Sequence, residues 1–250
     1  MFWLIAVLTQ AAFPKSNPNK FLNWIKSIFS GFPFLRFGSF SGFGAGKTIT
    51  DMWKDKPFAY SSQDGIHALV GWTVERQEVW FDLGDDPAHA ILAGMTRSGK
   101  SNLLHVLIQG MLHRFSPEEL NLYLLDYKHG VEFDVYAKAK IPQIKYVATV
   151  NDSEYGIQAL KHFHEEIIRR NDEFRRCGAR NIIEMRKTTG KQIPRILIII
   201  DEFQELINDP KVTEEAYNLF GKILKLGGSA GIHVCRTFGR RKKYLQNGKF

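Results

Sequence analysis

The chain has 250 residues, 44% of them hydrophobic and 24% charged, a globular composition long enough for one sizeable α/β domain plus extra segments. Its two cysteines, Cys177 and Cys235, lie far apart and exclude a disulfide framework, so a reduced, cytosolic setting is the simplest inference. The formal charge of +8 sits at the ends: residues 1–50 and 235–250 hold eleven basic residues and no acid, which leaves −3 on residues 51–234 and makes bulk charge poor support for a central domain that grips nucleic acid.

Met1 to Phe13 is apolar and uncharged. It is too short for a bilayer span of about 20 residues and lacks the basic start of a signal peptide. Phe21, Leu22, Trp24, Ile25, Ile28 and Phe29 then recur at helical spacing beside Lys20 and Lys26. Residues 1–40 thus form an apolar and basic N-terminal segment. It is suited to a membrane interface or to packing on the domain or a partner subunit, and Met1–Phe13 could also be the remnant of a longer membrane segment. Residues 41–64 read as a linker rich in Gly and Ser. Gly42 to Thr48 ends in Gly-Lys-Thr, but Ser41 takes the first glycine position of a phosphate loop and no strand precedes it, so it reads as plain loop.

His67–Trp72 and Glu78–Leu83 are short strand candidates around a polar turn. His89 to Ala93 then enters a glycine-bounded loop: Gly94, the four residues Met95, Thr96, Arg97 and Ser98, and Gly99-Lys100-Ser101. An amphipathic helix follows, with Leu103, Leu104, Val106, Leu107, Met111 and Leu112 as its apolar positions. This is the P-loop spacing in its strand-before, helix-after context; the bland alternative is a chance glycine loop before a core helix. The loop's N–H groups and the positive end of the helix would cradle phosphate oxygens. Lys100 can reach the β- and γ-phosphates of ATP, and the Ser101 hydroxyl can ligate Mg²⁺.

Leu120 to Asp126 reads as a second buried strand and Ile144 to Val150 as a third. Asn151 or Asp152 can cap a long helix ending near Cys177, with Gly178 at C′. On that helix Glu165-Glu166 and Arg169-Arg170 read as a solvated face, and His162 and His164, two apart, as surface residues rather than metal ligands. Arg195 to Glu202 is the clearest strand, its five consecutive aliphatics implying burial on both faces in a parallel sheet. Thr213 to Leu226 is a helix, and Gly231-Ile232-His233-Val234 begins a last strand. Asp201, at the end of a hydrophobic strand, can hold Mg²⁺ opposite Lys100, and Glu202 can orient and deprotonate the attacking water. Lys128 and His129 follow a strand end near the same edge.

Gly94 to His105, the run from Tyr123 to Phe133, Arg180-Asn181-Ile182, Ile199 to Leu206 and Ala230 to His233 occur in the order found in the FtsK/SpoIIIE family of DNA-translocating ATPases, which the chain resembles over about residues 65–234. The resemblance implies an α/β, RecA-like P-loop NTPase fold, a mostly parallel central sheet flanked by helices. It implies ATP and Mg²⁺ as cofactors, double-stranded DNA as partner, and a ring-forming homo-oligomer, a hexamer as in the family, in a prokaryotic cytoplasm or at the inner face of the cell membrane. It assigns residues 94–101 to nucleotide, Ser101 and Asp201 to the metal, and Lys100 and Glu202 to catalysis. A protein-moving secretion ATPase of the same superfamily, or a relic that binds nucleotide without turnover, are the alternatives.

Two departures stand out. Arg97 takes a position where many family members have Gly. After Val234 the family continues an apolar strand to an Ala-Thr-Gln sensor, whereas here Cys235-Arg236-Thr237-Phe238-Gly239-Arg240 follows. Residues 235–250 therefore read as a basic tail, out of frame in a C-terminally truncated motor. The strand expected beyond the P-loop strand is then missing, and the P-loop strand is left as an exposed edge.

Overall fold

The computed structural model describes residues 4–8, 55–73, 75–95, 98–127, 132–149, 153–207 and 210–240. The strands are β1 (Leu4–Leu8), β2 (Gly65–Trp72), β3 (Glu78–Gly84), β4 (His89–Met95), β5 (Leu120–Asp126), β6 (Ile144–Thr149), β7 (Arg195–Asp201) and β8 (Ile232–Arg240). The helices are α1 (Lys100–Arg114), α2 (Asp134–Ala139), α3 (Ser153–Arg176), α4 (Ile182–Thr189), α5 (Gln204–Ile207) and α6 (Thr213–Leu226).

Six strands form one sheet in the order β1-β4-β8-β7-β5-β6, and all but β1 are parallel. Every residue of β7 is buried, as its aliphatic run requires of a strand covered on both faces. Alternate residues face opposite ways. Leu197 and Ile199 join Leu92, Leu122, Leu124 and Cys235 in a core closed by α1 and the separate antiparallel pair β2–β3. Ile196, Ile198 and Ile200 join Val234 and Leu125 in a second core closed by α3 and α6, in which Phe203 stacks on Phe220 with ring centroids 4.3 Å apart. The result is a three-layer α/β sandwich, the fold class expected. β8 separates the P-loop strand β4 from β7.

The structure corrects several boundaries. The strand opening at Ile232 does not stop at Val234: Cys235 to Arg240 complete β8, paired with β4 from Ala90↔Cys235 to Met95↔Arg240. Cys235 and Thr237 are buried, so basic flanks hid a strand interior from a reading based on charge. The position beside β4 that was expected to be vacant holds β1, running antiparallel from Leu4↔Ala93 to Leu8↔His89. The second half of the expected linker is structured as well. Phe58 and Tyr60 donate backbone bonds to the carbonyls of His113 and Arg114, and Ser62 is fully buried on Glu119. On α3, Arg170 is buried, not solvated; it pairs with Glu166 at 2.8 Å and donates to the Ala230 carbonyl at 3.0 Å. Residues 9–54 with the Gly42–Thr48 loop and most of the N-terminal segment, the suggested caps Asn151 and Asp152, Lys128, His129 and residues 241–250 lie outside the described residues. No helix among the described residues is long and apolar enough to cross a membrane.

Candidate nucleotide site

The site lies at the carboxyl ends of β4, β8, β7 and β5. β4 delivers Gly94, and α1 opens at Lys100 with Gly99 as its N-cap at φ 84°, a left-handed conformation that suits glycine. A Cβ on Gly94 would stand 2.6 Å from Ser98 Oγ and 3.2 Å from Lys100 Cγ, so the loop closes tightly around a backbone without side chain. Ser98 is buried, and its hydroxyl has no hydrogen-bond partner among the described residues. The first turn of α1 carries no acid, so nothing on the helix offsets the positive end of its dipole. Lys100 Nζ donates to the Gly94 carbonyl at 3.3 Å, folding the ammonium over the loop. Thr96 and Arg97 lie outside the described residues, and Met95 is described only as the last residue of β4.

Facing this loop are the acidic strand ends. Asp126 closes β5 and Asp201 closes β7, adjacent in register and both buried. The Thr237 hydroxyl, one strand over, donates to Asp201 Oδ1 and accepts the Glu202 N–H at 2.9 Å. Glu202 turns the chain at φ 52°, a left-handed conformation that costs a side-chain-bearing residue about 1–2 kcal/mol, and the Thr237 bond helps to hold it there. From the far side, Glu132 accepts the Ser101 hydroxyl at 2.9 Å. Burial raises the Asp201 carboxyl above its ordinary range, opposed by the Thr237 hydrogen bond and reinforced by the negative charges of Asp126, Glu202 and Glu132.

This donor set fits a hard divalent cation. The Asp201 carboxylate and the Ser101 hydroxyl are oxygen donors, and a cation would offset the negative charge that Asp126, Glu202 and Glu132 add around Asp201. No group of three or more acidic, histidine or cysteine side chains among the described residues could hold a metal alone.

The structure brings together Gly94, Ser98, Gly99, Lys100 and Ser101 on one side and Asp201 and Glu202 on the other. Sequence reasoning missed Thr237, because it assigned the second half of β8 to a tail. It placed Asp126 at the carboxyl end of its strand and Glu132 within the Tyr123–Phe133 motif, and gave neither a role at the site. A Thr at alternate register to Cys235, on a strand beside Asp201, was the available signal for the first.

Residues 48–243 match the model of the FtsK/SpoIIIE family. The chain is 30% identical over 180 residues to DNA translocase SftA of Bacillus subtilis and 31% identical over 188 residues to the ESX-4 secretion system protein EccC4 of Mycobacterium tuberculosis, in each case over 70% of this chain. It spans only 18% and 15% of those relatives' lengths. Among solved structures it is similar to the pCW3 conjugation coupling protein TcpA with ATPγS, with a TM-score of 0.59 and 25% identity over 78% of this chain and 53% of that one. The cytoplasmic domain of the type VII secretion ATPase EccC of Thermomonospora curvata shares the fold, with a TM-score of 0.60 at 22% identity over 78% of this chain and 23% of that one. With a family match over most of its length, the chain belongs to the FtsK/SpoIIIE family and carries its P-loop ATPase domain.

Proposed function

We propose that this chain binds and hydrolyses ATP as the motor module of a double-stranded DNA translocase. The observation that carries the reading is the convergence at one sheet edge of the Gly94–Ser101 loop with Asp201 and Glu202, the latter two fixed by Thr237. In this reading the N–H groups of residues 94–101 and the start of α1 bind the phosphates, and Lys100 leaves the Gly94 carbonyl for the β- and γ-phosphate oxygens. Ser101 and Asp201 hold Mg²⁺, whose chemistry is to neutralise charge on those oxygens. Glu202 orients the attacking water and takes its proton. Catalysis by these residues is positioning and charge stabilisation.

The substrate assignment rests on the relatives. The B. subtilis relative is named a DNA translocase, and the TcpA structure is of a conjugation coupling protein. The module then serves chromosome segregation or conjugative transfer in a ring of identical subunits, six by family resemblance. The ring grips duplex DNA through its phosphates without reading sequence. The part of residues 1–40 that follows β1, with Lys20, Lys26 and its apolar residues at helical spacing, brings it to the inner face of the cell membrane. The 31% identity to a secretion-system protein favours a second reading, in which the cargo is polypeptide.

The test is steady-state ATP hydrolysis by the full chain with and without linear duplex DNA, alongside Lys100→Ala and Glu202→Gln. Duplex DNA should raise wild-type turnover, and both variants should lose it by about 100-fold or more. Glu202→Gln should still bind ATP. Turnover indifferent to DNA overturns the DNA reading in favour of polypeptide cargo. Wild-type chain that binds ATP at high concentration without turning it over overturns the motor reading altogether.

A further inference from the structure

Glu132 has no part in the machinery described so far, yet it is the residue that holds the Ser101 hydroxyl. Its Oε1 accepts from Ser101 Oγ at 2.9 Å. Its backbone N–H donates to Asp126 Oδ2 at 3.4 Å, which ties the segment after β5 to the acidic edge of the sheet. Its other oxygen, Oε2, lies 3.7 Å from His105 Nε2, and His105 Nδ1 is 2.8 Å from the hydroxyl of the buried Tyr136. Ser101 and His105 are one turn apart on α1, and Glu132 and Tyr136 have the same four-residue spacing on the segment that enters α2. One pair therefore faces the other, and the carboxylate meets Ser101 through one oxygen and His105 through the second.

The chemistry follows from what a hydroxyl must do to bind a cation. A serine oxygen ligates through a lone pair, and its proton has to point elsewhere. A hydroxyl left to rotate spends much of its time with the proton in the metal's direction. One that gives its proton to an anchored carboxylate keeps its lone pairs on the opposite side, and the charged acceptor makes the oxygen a better donor. We infer that Glu132 is a positioning residue for the metal: it accepts the Ser101 hydrogen bond and so leaves the Ser101 lone pairs turned away from itself, free for the cation. The inference rests on the nucleotide reading of the site and adds to it a residue outside the glycine loop and the Asp201–Glu202 pair.

The test is equilibrium binding of ATPγS to the full chain, measured by calorimetry in Mg²⁺ and again in EDTA. The quantity read is the gain in affinity that Mg²⁺ confers. Glu132→Ala should reduce that gain by about tenfold while leaving the affinity in EDTA within twofold of wild type. Glu132→Gln, whose carbonyl oxygen still accepts the proton, should keep most of the gain. Ser101→Ala should lose it, and Ser101→Ala/Glu132→Ala should be no worse than Ser101→Ala alone. The inference is overturned if Glu132→Ala keeps the full Mg²⁺ gain, or weakens binding equally in EDTA. It is also overturned if Glu132→Gln is as impaired as Glu132→Ala, or if the two losses add. Wild-type chain that binds ATPγS in neither condition overturns the nucleotide reading itself, a result distinct from all of these.

Discussion

The Thr237 hydroxyl does two jobs with one oxygen: its proton goes to Asp201 and its lone pair accepts from the Glu202 N–H. Thr237 is 1% exposed, so neither partner has water as a substitute. Thr237→Val keeps the shape and removes both bonds. It should cost about 1–3 kcal/mol of unfolding free energy in urea and lower ATP turnover as well, since Glu202 loses a support for its left-handed backbone. Thr237→Ser should restore most of both; Thr237→Val with wild-type stability and turnover would mean that the hydroxyl does not matter. This residue shows where reading the sequence stopped short. The glycine loop and Asp201–Glu202 were legible because each is a local pattern with a local cause. Thr237 matters only through its register against a strand some 35 positions away in the chain, which spacing along the sequence does not express.

Among the elements, the same contrast holds. β5, β7, α1 and α6 were legible from apolar runs or helical periodicity. α4 was not recognised as a helix, although Asn181 accepts the Glu184 N–H at 2.9 Å as an N-cap and Gly190 closes the other end at φ 67°. Eight residues are too short for periodicity to speak, and only the caps announce them. What joins the elements is less visible still. His89 opens β4, donates through Nε2 to the Leu224 carbonyl of α6 at 3.0 Å and accepts through Nδ1 from the Val234 N–H of β8 at 3.0 Å. Both bonds are met by one neutral tautomer. Burial accordingly lowers its pKa from 6.5 to about 4. In the unfolded chain the ring takes up a proton below about pH 6.5, whereas the folded ring resists until about pH 4. The contribution to stability is therefore complete above pH 6.5 and is lost as pH falls towards 4, by about 3 kcal/mol. His233, shifted in the same direction by burial and by Arg195, adds to the slope. Urea denaturation between pH 7.5 and 4.5 should show this decline, and His89→Gln should flatten it; a variant with the wild-type slope would exclude His89 as the cause.

At the scale of the whole molecule, the mostly parallel sheet flanked by helices was legible through the family resemblance, whereas β1 at the edge beside β4 was not. Nor was the attachment of the segment before β2. Its anchor is Arg195, fully buried at the start of β7 at the edge opposite the nucleotide site. The guanidinium donates to the Ser62 carbonyl at 2.6 Å, the Gln63 carbonyl at 2.9 Å and His233 Nε2 at 3.0 Å, with Asp85 Oδ1 3.9 Å away. His233 in turn donates through Nδ1 to the Ala88 carbonyl at 2.8 Å. One side chain thus satisfies acceptors from the incoming segment and from β8, and its partner His233 reaches the residue before β4. A charged residue opening an aliphatic strand reads in sequence as a solvated end; only the three-dimensional return of residues 62–63 makes it interior. Its burial lowers its pKa to about 10, so it stays charged at neutral pH, and removing the charge leaves several acceptors stranded. Arg195→Met, similar in length and without donors, should cost about 3 kcal/mol or more in urea denaturation. It should also speed proteolytic cleavage within residues 55–64, since Ser62 and Gln63 lose the guanidinium bonds that tie them to the sheet. Arg195→Lys, with a single point of donation, should fall between wild type and Met. Arg195→Met with wild-type stability and an unchanged cleavage rate would show that the bonds of Phe58, Tyr60 and Ser62 to His113, Arg114 and Glu119 hold the segment without Arg195.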